Sequence, residues 1–280
     1  LFIFLIGPVF MRFLLFFVFM NISFGFSAFS CFEESFVGDP YSNAMGSITI
    51  FSLHKENPAL LTEARFPELV FTYKNHYLTS ELNRWKASFL KPFQECTVNF
   101  LLEGSGYEHY NDLVFSSQIA KKISSSLSIG TGIHLHGLYY TGSYERLFTV
   151  LTRLGGSWAN EYFLISLWSD NFLHAALGPQ EEMIRYPISF VGGFRMALSE
   201  EARYAVEIEN TDFTNWRVKA GFEYHTDIFA VRCGAYTNPL IPTLGMGIFF
   251  SGFTLDVGTQ YSNQLGIVVG VGLKCVLKKE

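Results

Sequence analysis

The sequence predicts an all-β fold, an antiparallel transmembrane β-barrel of about fourteen strands that carries a plug-like segment at its N-terminal side. Three observations lead there. An export-like apolar run opens the chain. The remainder is rich in Phe, Tyr and Gly, yet holds no uninterrupted apolar stretch long enough for a helical span. From Leu69 onward, apolar and polar residues alternate in segments of roughly ten residues bounded by turn signals.

The opening run, Leu1 to Ala28, contains a single charge, Arg12. Met11-Arg12 starts a short basic region, Phe13 to Met20 form an apolar stretch, and Ser27, Ala28 and Ser30 supply the small residues of a cleavage site. Residues 1–30 are therefore expected to be a signal peptide that starts at Met11. A membrane-spanning helix is the competing reading of the same run. Cys31 follows the cleavage-like end, where a lipoprotein carries its acyl chains, but the bulky Phe29 departs from that pattern. The other cysteines, Cys96, Cys233 and Cys275, are far apart and lack CxxC spacing, so neither a metal site nor a disulfide framework is expected. A net charge of −5 argues against nucleic acid as a partner.

A hydrophobic exported chain without helical spans is either a secreted sandwich or an outer-membrane barrel, and the strands decide between them. Trp216, Val218, Ala220, Phe222 and Tyr224 share one face, while Arg217, Lys219, Gly221 and Glu223 share the other. Leu127, Ile129, Ile133, Leu135 and Tyr139 alternate likewise with Ser128, Gly130, Gly132, His134 and His136. Strands are expected near 69–77, 83–90, 95–103, 112–121, 126–138, 145–154, 160–169, 187–197, 202–209, 215–224, 228–236, 243–250, 252–260 and 265–276. Their length suits a tilted membrane strand, whereas sandwich strands are usually about five or six residues. The even-numbered strands end in short connections at Lys91 to Gln94, Lys122 to Ser125, Gly155 to Ala159, Ser199-Glu200, Thr226-Asp227 and Ser251-Gly252. The opposite connections, Gly104 to Asn111, Tyr140 to Tyr144, Asp170 to Tyr186 and Thr237 to Pro242, are longer. That asymmetry is the one expected of a barrel in the bacterial outer membrane, with its N-terminus periplasmic and lipid around its wall. Polar-face glycines, Gly130, Gly132, Gly193, Gly245, Gly247, Gly270 and Gly272, mark room for something packed inside.

Ahead of the first strand lie Ala44-Met45-Gly46 and Asn57-Pro58-Ala59, the second followed by Leu60-Leu61. Asn57-Pro58 is a sound turn starter, and Ala59 to Ala64 can form one or two helical turns. In order and in spacing to the barrel, the two motifs resemble the N-terminal signature of the PorV/FadL-like outer-membrane proteins of Bacteroidota. The resemblance implies that the N-terminal segment, residues 31–66, forms a hatch within a barrel spanning 67–277. It also implies a role in binding or passing hydrophobic small molecules, or as an accessory subunit beside another envelope protein such as the type IX secretion machinery. Two departures stand out: the stretch between Gly46 and Asn57 is compact, and the chain ends in Lys278-Lys279-Glu280 without a terminal aromatic residue.

Alternation places His134, His136, Arg203, Glu207, Arg217, Lys219, Glu223 and Arg232 on the wet face, as candidate lumen-lining residues whose charges are expected to pair. His134 and His136 share a face at a spacing that suits a metal, but no third ligand is evident and lumen lining is the better reading. A lipid hydrolase is the weaker alternative. Ser128 and His134 are separated by about 20 Å of strand and cannot form a nucleophile–base pair, which leaves Ser116 on the adjacent strand without any supporting motif. No catalytic residue, metal or cofactor is assigned, and a non-enzymatic barrel is expected.

Overall fold

A computed structural model describes residues 38–108, 110–140, 146–173, 176–177 and 184–278. The expected signal peptide, Cys31 and the first residues of the N-terminal segment lie outside the described residues. The barrel strands are β1 Glu68–His76, β2 Asn83–Pro92, β3 Thr97–Tyr107, β4 Tyr110–Lys122, β5 Leu127–Tyr140, β6 Arg146–Ala159 and β7 Phe163–Asp170. After a two-residue ladder between Ala176–Leu177 and Ile184–Arg185 come β8 Ser189–Ala197, β9 Ala202–Thr211, β10 Asn215–His225, β11 Phe229–Tyr236, β12 Ile241–Phe250, β13 Phe253–Ser262 and β14 Gly266–Val276. Each strand pairs with its sequence neighbours, and β1 closes on β14 from Glu68↔Val276 to His76↔Val268. Closure matters because hydrocarbon offers backbone groups no hydrogen-bond partners, so an open sheet edge is not tolerated there.

The wall separates two chemistries. Large apolar side chains such as Phe71, Ile129, Ile133, Leu135, Trp216 and Leu244 are exposed on the outside. Their alternating neighbours Thr72, His134, His136, Lys219 and Glu223 are buried within. A belt of this kind would drive aggregation in water and is the surface that lipid covers.

Two expected connections prove to be strand. Gly155 to Ala159 ends β6, and the turn follows at 160–162, where Asn160 Oδ1 accepts from the backbone amides of Tyr162 and Phe163, both at 2.9 Å. Gly104 to Asn111 is largely strand as well, since β3 runs to Tyr107 and β4 begins at Tyr110. In both places a glycine, which the sequence alone offers as a turn former, serves close packing instead. A Cβ on Gly104 would lie 2.6 Å from the Trp85 ring, and one on Gly155 would meet Asn57 and Pro58.

The segment ahead of β1 fills the lumen. Asp39 caps the short helix α1, Pro40–Ala44, accepting from Ser42 N at 3.0 Å, while the Ser42 hydroxyl accepts from Asp39 N. A 3-10 turn follows at Thr49–Phe51. A longer one at Pro58–Glu63 is capped by Asn57, whose Oδ1 accepts from Ala59 N at 2.9 Å. Ala44, Met45, Ile48, Ala59, Leu60 and Leu61 are completely buried. The wall receives this hatch through in-strand glycines. Cβ atoms at Gly130, Gly193, Gly221, Gly234 and Gly258 would collide with Pro58, Ile50, Met45, Gly46 and Pro40 respectively. Gly132 and Gly247 differ from the expectation, because they face the wall side chains Gln118 and Arg232 rather than the hatch.

A Cβ on Gly130 would stand 2.6 Å from the Pro58 carbonyl carbon, which is backbone and has little freedom to yield. Gly130→Val is therefore expected to unseat the second 3-10 turn at a cost of about 1–3 kcal/mol. Faster hydrogen exchange across residues 57–63, with the barrel's heat-modifiable gel mobility retained, would register it.

Candidate functional site: the hatch and its charged seat

Four hatch residues carry a charge, an amide or an imidazole into the wall. Glu56 sits between Lys86 Nζ at 3.2 Å and an Arg153 nitrogen at 2.6 Å, and Arg153 also holds Asp170 at 2.6 Å. Lys86 continues to Glu103 at 3.1 Å, and the Trp168 ring lies 4.8 Å from the Arg153 guanidinium. Asn57 donates to Ser166 Oγ at 2.7 Å. Glu63, near the short-turn end, pairs with Lys55 and Arg195. The fourth, His54, is enclosed between Ser88 Oγ at 2.7 Å and Thr72 Oγ1 at 2.9 Å.

The wall supplies its own charges to the hatch backbone. Glu207 accepts from Thr49 N at 2.8 Å and from the Thr49 hydroxyl at 2.7 Å, and it is paired with Lys219 at 2.8 Å. Lys219 also reaches Glu209 at 2.9 Å. Arg232 bridges Glu223 at 2.7 Å and Asp256 at 2.6 Å, with its guanidinium 3.8 Å from the Tyr41 ring centroid. Arg203 binds Glu223 at 2.9 Å, whereas Arg217 lies at the outer end, 3.9 Å from Glu209. Burying these charges singly would be prohibitive; in pairs and triads the wall tolerates them.

All eight residues singled out from alternation thus project inward, and six of them belong to three clusters, around Glu207 and Lys219, around Glu223 and Arg232, and around His134. His136 contacts Asp112 and Tyr186. The N-terminal motif residues lie at the seat itself. Thr243 Oγ1 accepts from Gly46 N at 2.9 Å and donates to Ala44 O at 3.1 Å. Gly46 has φ +76 and no room for a side chain beneath Ala220 and Ala235. Sequence reasoning missed Glu56, His54, Lys86, Arg153 and Asp170. Arg153 and Lys86 carried a usable signal in the strand alternation; Glu56 and His54 lie in irregular chain, where no period reveals a facing partner.

Ser116 Oγ and His134 Nδ1 are 2.6 Å apart on neighbouring strands. The contact lacks the third member of a hydrolytic relay, since His134 Nε2 has no hydrogen-bond partner, and Ser116 is fully buried.

Between the hatch and the wall at the barrel end that carries the short turns, a recess of about 530 Å³ is bounded by Ile50, Phe51, Phe163 and Leu164 on its apolar side. Lys55, Glu63, Arg195 and Arg203 stand on its polar side.

No family model and no curated protein matches this sequence. The fold is similar to solved outer-membrane channels. Against the toluene transporter TodX of Pseudomonas putida the TM-score is 0.67 at 10% identity, covering 87% of this chain and 99% of that one. Against a FadL homologue of Pseudomonas aeruginosa it is 0.63 at 8% identity, covering 86% and 99%. A TodX monoaromatic hydrocarbon channel variant lacking S2 gives 0.63 at 9% identity, with the same coverage. With the lipid-facing belt and the closed wall, this defines the class: a bacterial outer-membrane β-barrel. More particularly, the fold is the 14-strand FadL/TodX-like barrel with an N-terminal segment ahead of its strands.

The seat is acid-sensitive, through two groups of the hatch. Burial pushes the His54 imidazole down from 6.5 to about 4, with Asp39 opposing the shift. The unfolded chain therefore takes up a proton near 6.5 that the seated hatch refuses until about 4, so seating weakens as pH falls through that window. Burial raises the Glu56 carboxyl, but Lys86 and Arg153 outweigh it and hold the group at about 2; its contribution persists above 4.5 and fades only below. Hatch protection from hydrogen exchange is expected to fall by up to about 1.4 kcal/mol per pH unit between pH 6.5 and 4, and His54→Gln to flatten that slope. Separately, Arg153→Met strands Glu56 and Asp170 and is expected to cost about 3–5 kcal/mol. Glu56→Gln in the same chain should restore part of that loss in the denaturant midpoint.

Proposed function

We propose that the protein binds and passes hydrophobic small molecules across the outer membrane, with residues 31–66 as a hatch that withholds passage from polar solutes. The observation that carries this reading is the recess beside the hatch. A lumen crossed by paired charges and filled by buried hatch residues offers water-soluble molecules no wide aqueous path. At the short-turn end the recess sets an apolar side of Ile50, Phe51, Phe163 and Leu164 against the charged Lys55, Glu63, Arg195 and Arg203. Named channels of the same fold, a toluene transporter and a monoaromatic hydrocarbon channel, handle compounds that suit the apolar side of this recess. The Ala44-Met45-Gly46 and Asn57-Pro58-Ala59 motifs support placing the chain with the PorV-like barrels of Bacteroidota.

Uptake is the measurement. Cells carrying the protein are expected to accumulate radiolabelled toluene several-fold faster than cells without it, while proteoliposomes holding the barrel show no swelling in arabinose. Rapid swelling in the sugar, or toluene uptake no faster than the control, would reject a hydrophobic-selective passage.

A further inference from the structure

The short-turn end of the wall is divided by charge. Around β14 and β1 to β5 its exposed charges are the cations Arg65, Lys91, Lys121, Lys122 and Lys278, with Glu95 the one exposed acid among the described residues of those turns and ends. Around β6 to β11 the exposed charges are acids instead, Glu161, Glu200, Glu201 and Asp227. Two of the lysines sit on strands. Lys91 lies two residues beyond Phe89 on β2, and Lys121 two beyond Ile119 on β4, so both follow the outward, lipid-facing side of the wall. Register brings them together: Lys91 pairs with Val98 and Val98 with Ile119, which leaves about 12 Å between the two lysine Cα atoms. Lys91 Nζ stands 5.0 Å from the Phe93 ring centroid, and Phe93 is itself exposed. Lys121 Nζ meets Glu95 at 3.0 Å, but with side chains 55% and 82% exposed this is a screened pair that exchanges readily for another anion.

We propose that Lys91 and Lys121 bind the anionic headgroup of a phospholipid in the leaflet at the short-turn end, with its acyl chains lying along Phe89, Phe100 and Ile119. The inference goes beyond passage through the lumen and stands apart from it. The placement of the lysines selects a lipid over a soluble acidic protein. Both project from the face that carries the apolar belt, at the level where that belt ends and headgroups begin. Lysine suits this level, because its methylene stem covers apolar surface while the ammonium reaches the polar layer. Phe89, Phe100 and Ile119 are exposed on the same three strands and continue the belt directly above the two cations. The opposite side of the barrel repels such a lipid. There Tyr224, on the outward face of β10, donates to Glu201 at 2.8 Å, so the same level of the wall carries negative charge. Attraction on one side and repulsion on the other confine an anionic lipid to the sector of β2 to β4.

Native mass spectrometry reads the preference directly, on the full barrel released from detergent after incubation with equal amounts of phosphatidylglycerol and phosphatidylcholine of the same acyl chains. A lysine beside an anionic lipid surface is worth about fivefold in binding, so the wild-type protein is expected to retain phosphatidylglycerol over phosphatidylcholine by at least about fivefold. Lys91→Gln with Lys121→Gln is expected to bring the ratio to within about twofold of unity. Lys122→Gln with Lys278→Gln removes the same charge elsewhere in the basic sector and is expected to leave the ratio unchanged. Heat-modifiable gel mobility confirms that each variant is a folded barrel. Excess inorganic phosphate is expected not to displace the lipid; displacement would mark a site for the free anion and overturn the lipid assignment. Equal retention of the two lipids by the wild type overturns the proposal and leaves the basic sector to a soluble acidic partner. An unchanged ratio without Lys91 and Lys121, or an equal fall in both double variants, overturns their assignment as the site.

Discussion

Everything within this barrel depends on how closely the hatch backbone approaches the wall. Pro40, Met45, Gly46 and Pro58 come near enough to β5, β10, β11 and β13 that a single Cβ on the wall would collide with them. Such contact requires glycine on the inward face, and glycine inside a strand weakens it. The barrel tolerates the weakness because its strands are hydrogen-bonded on both sides around a closed circuit. Close approach in turn excludes water from the charged groups on either side. Glu56 against Lys86 and Arg153, and Glu207 against the Thr49 amide, become strong and directional restraints rather than screened surface pairs.

The charged seat explains a second property. A buried carboxylate or cation is stable only while its partner remains, so removing the hatch would leave Arg153, Lys86 and Glu207 facing an emptier lumen with fewer partners. Hatch and wall therefore specify one another. The short-turn end is looser: Glu63, Lys55 and Arg195 are partly exposed, and the recess opens among them. Passage beside the hatch demands less rearrangement there than through the Glu56 cluster. Toward the outer end the wall keeps its charges in pairs, Lys86 with Glu103 and Lys219 with Glu209.

Alternation was enough to determine fourteen strands and the inner and outer face of each, because side chains of a strand follow a period of two whatever the neighbours are. Trp216 to Tyr224 displays it without interruption. The same rule put Lys219, Glu223 and Arg232 on the inner face. It failed at Gly104 and Gly155, since glycine signals a turn and a close approach with the same letter.

The partners of those inward charges were decided by the tertiary structure alone. That Glu207 serves the Thr49 amide, that Glu56 meets both β2 and β6, and that Ser116 rather than Ser128 meets His134 are contacts between residues far apart in sequence, set by register across strands and by the path of an irregular segment. The hatch has no period to read, so its motif residues were visible while their seats were not. Sequence by itself thus determined a transmembrane barrel and its two surfaces. Only the closed wall, packed against the hatch, decided which polar groups find partners, because burial and pairing are properties of juxtaposed segments and not of any one of them.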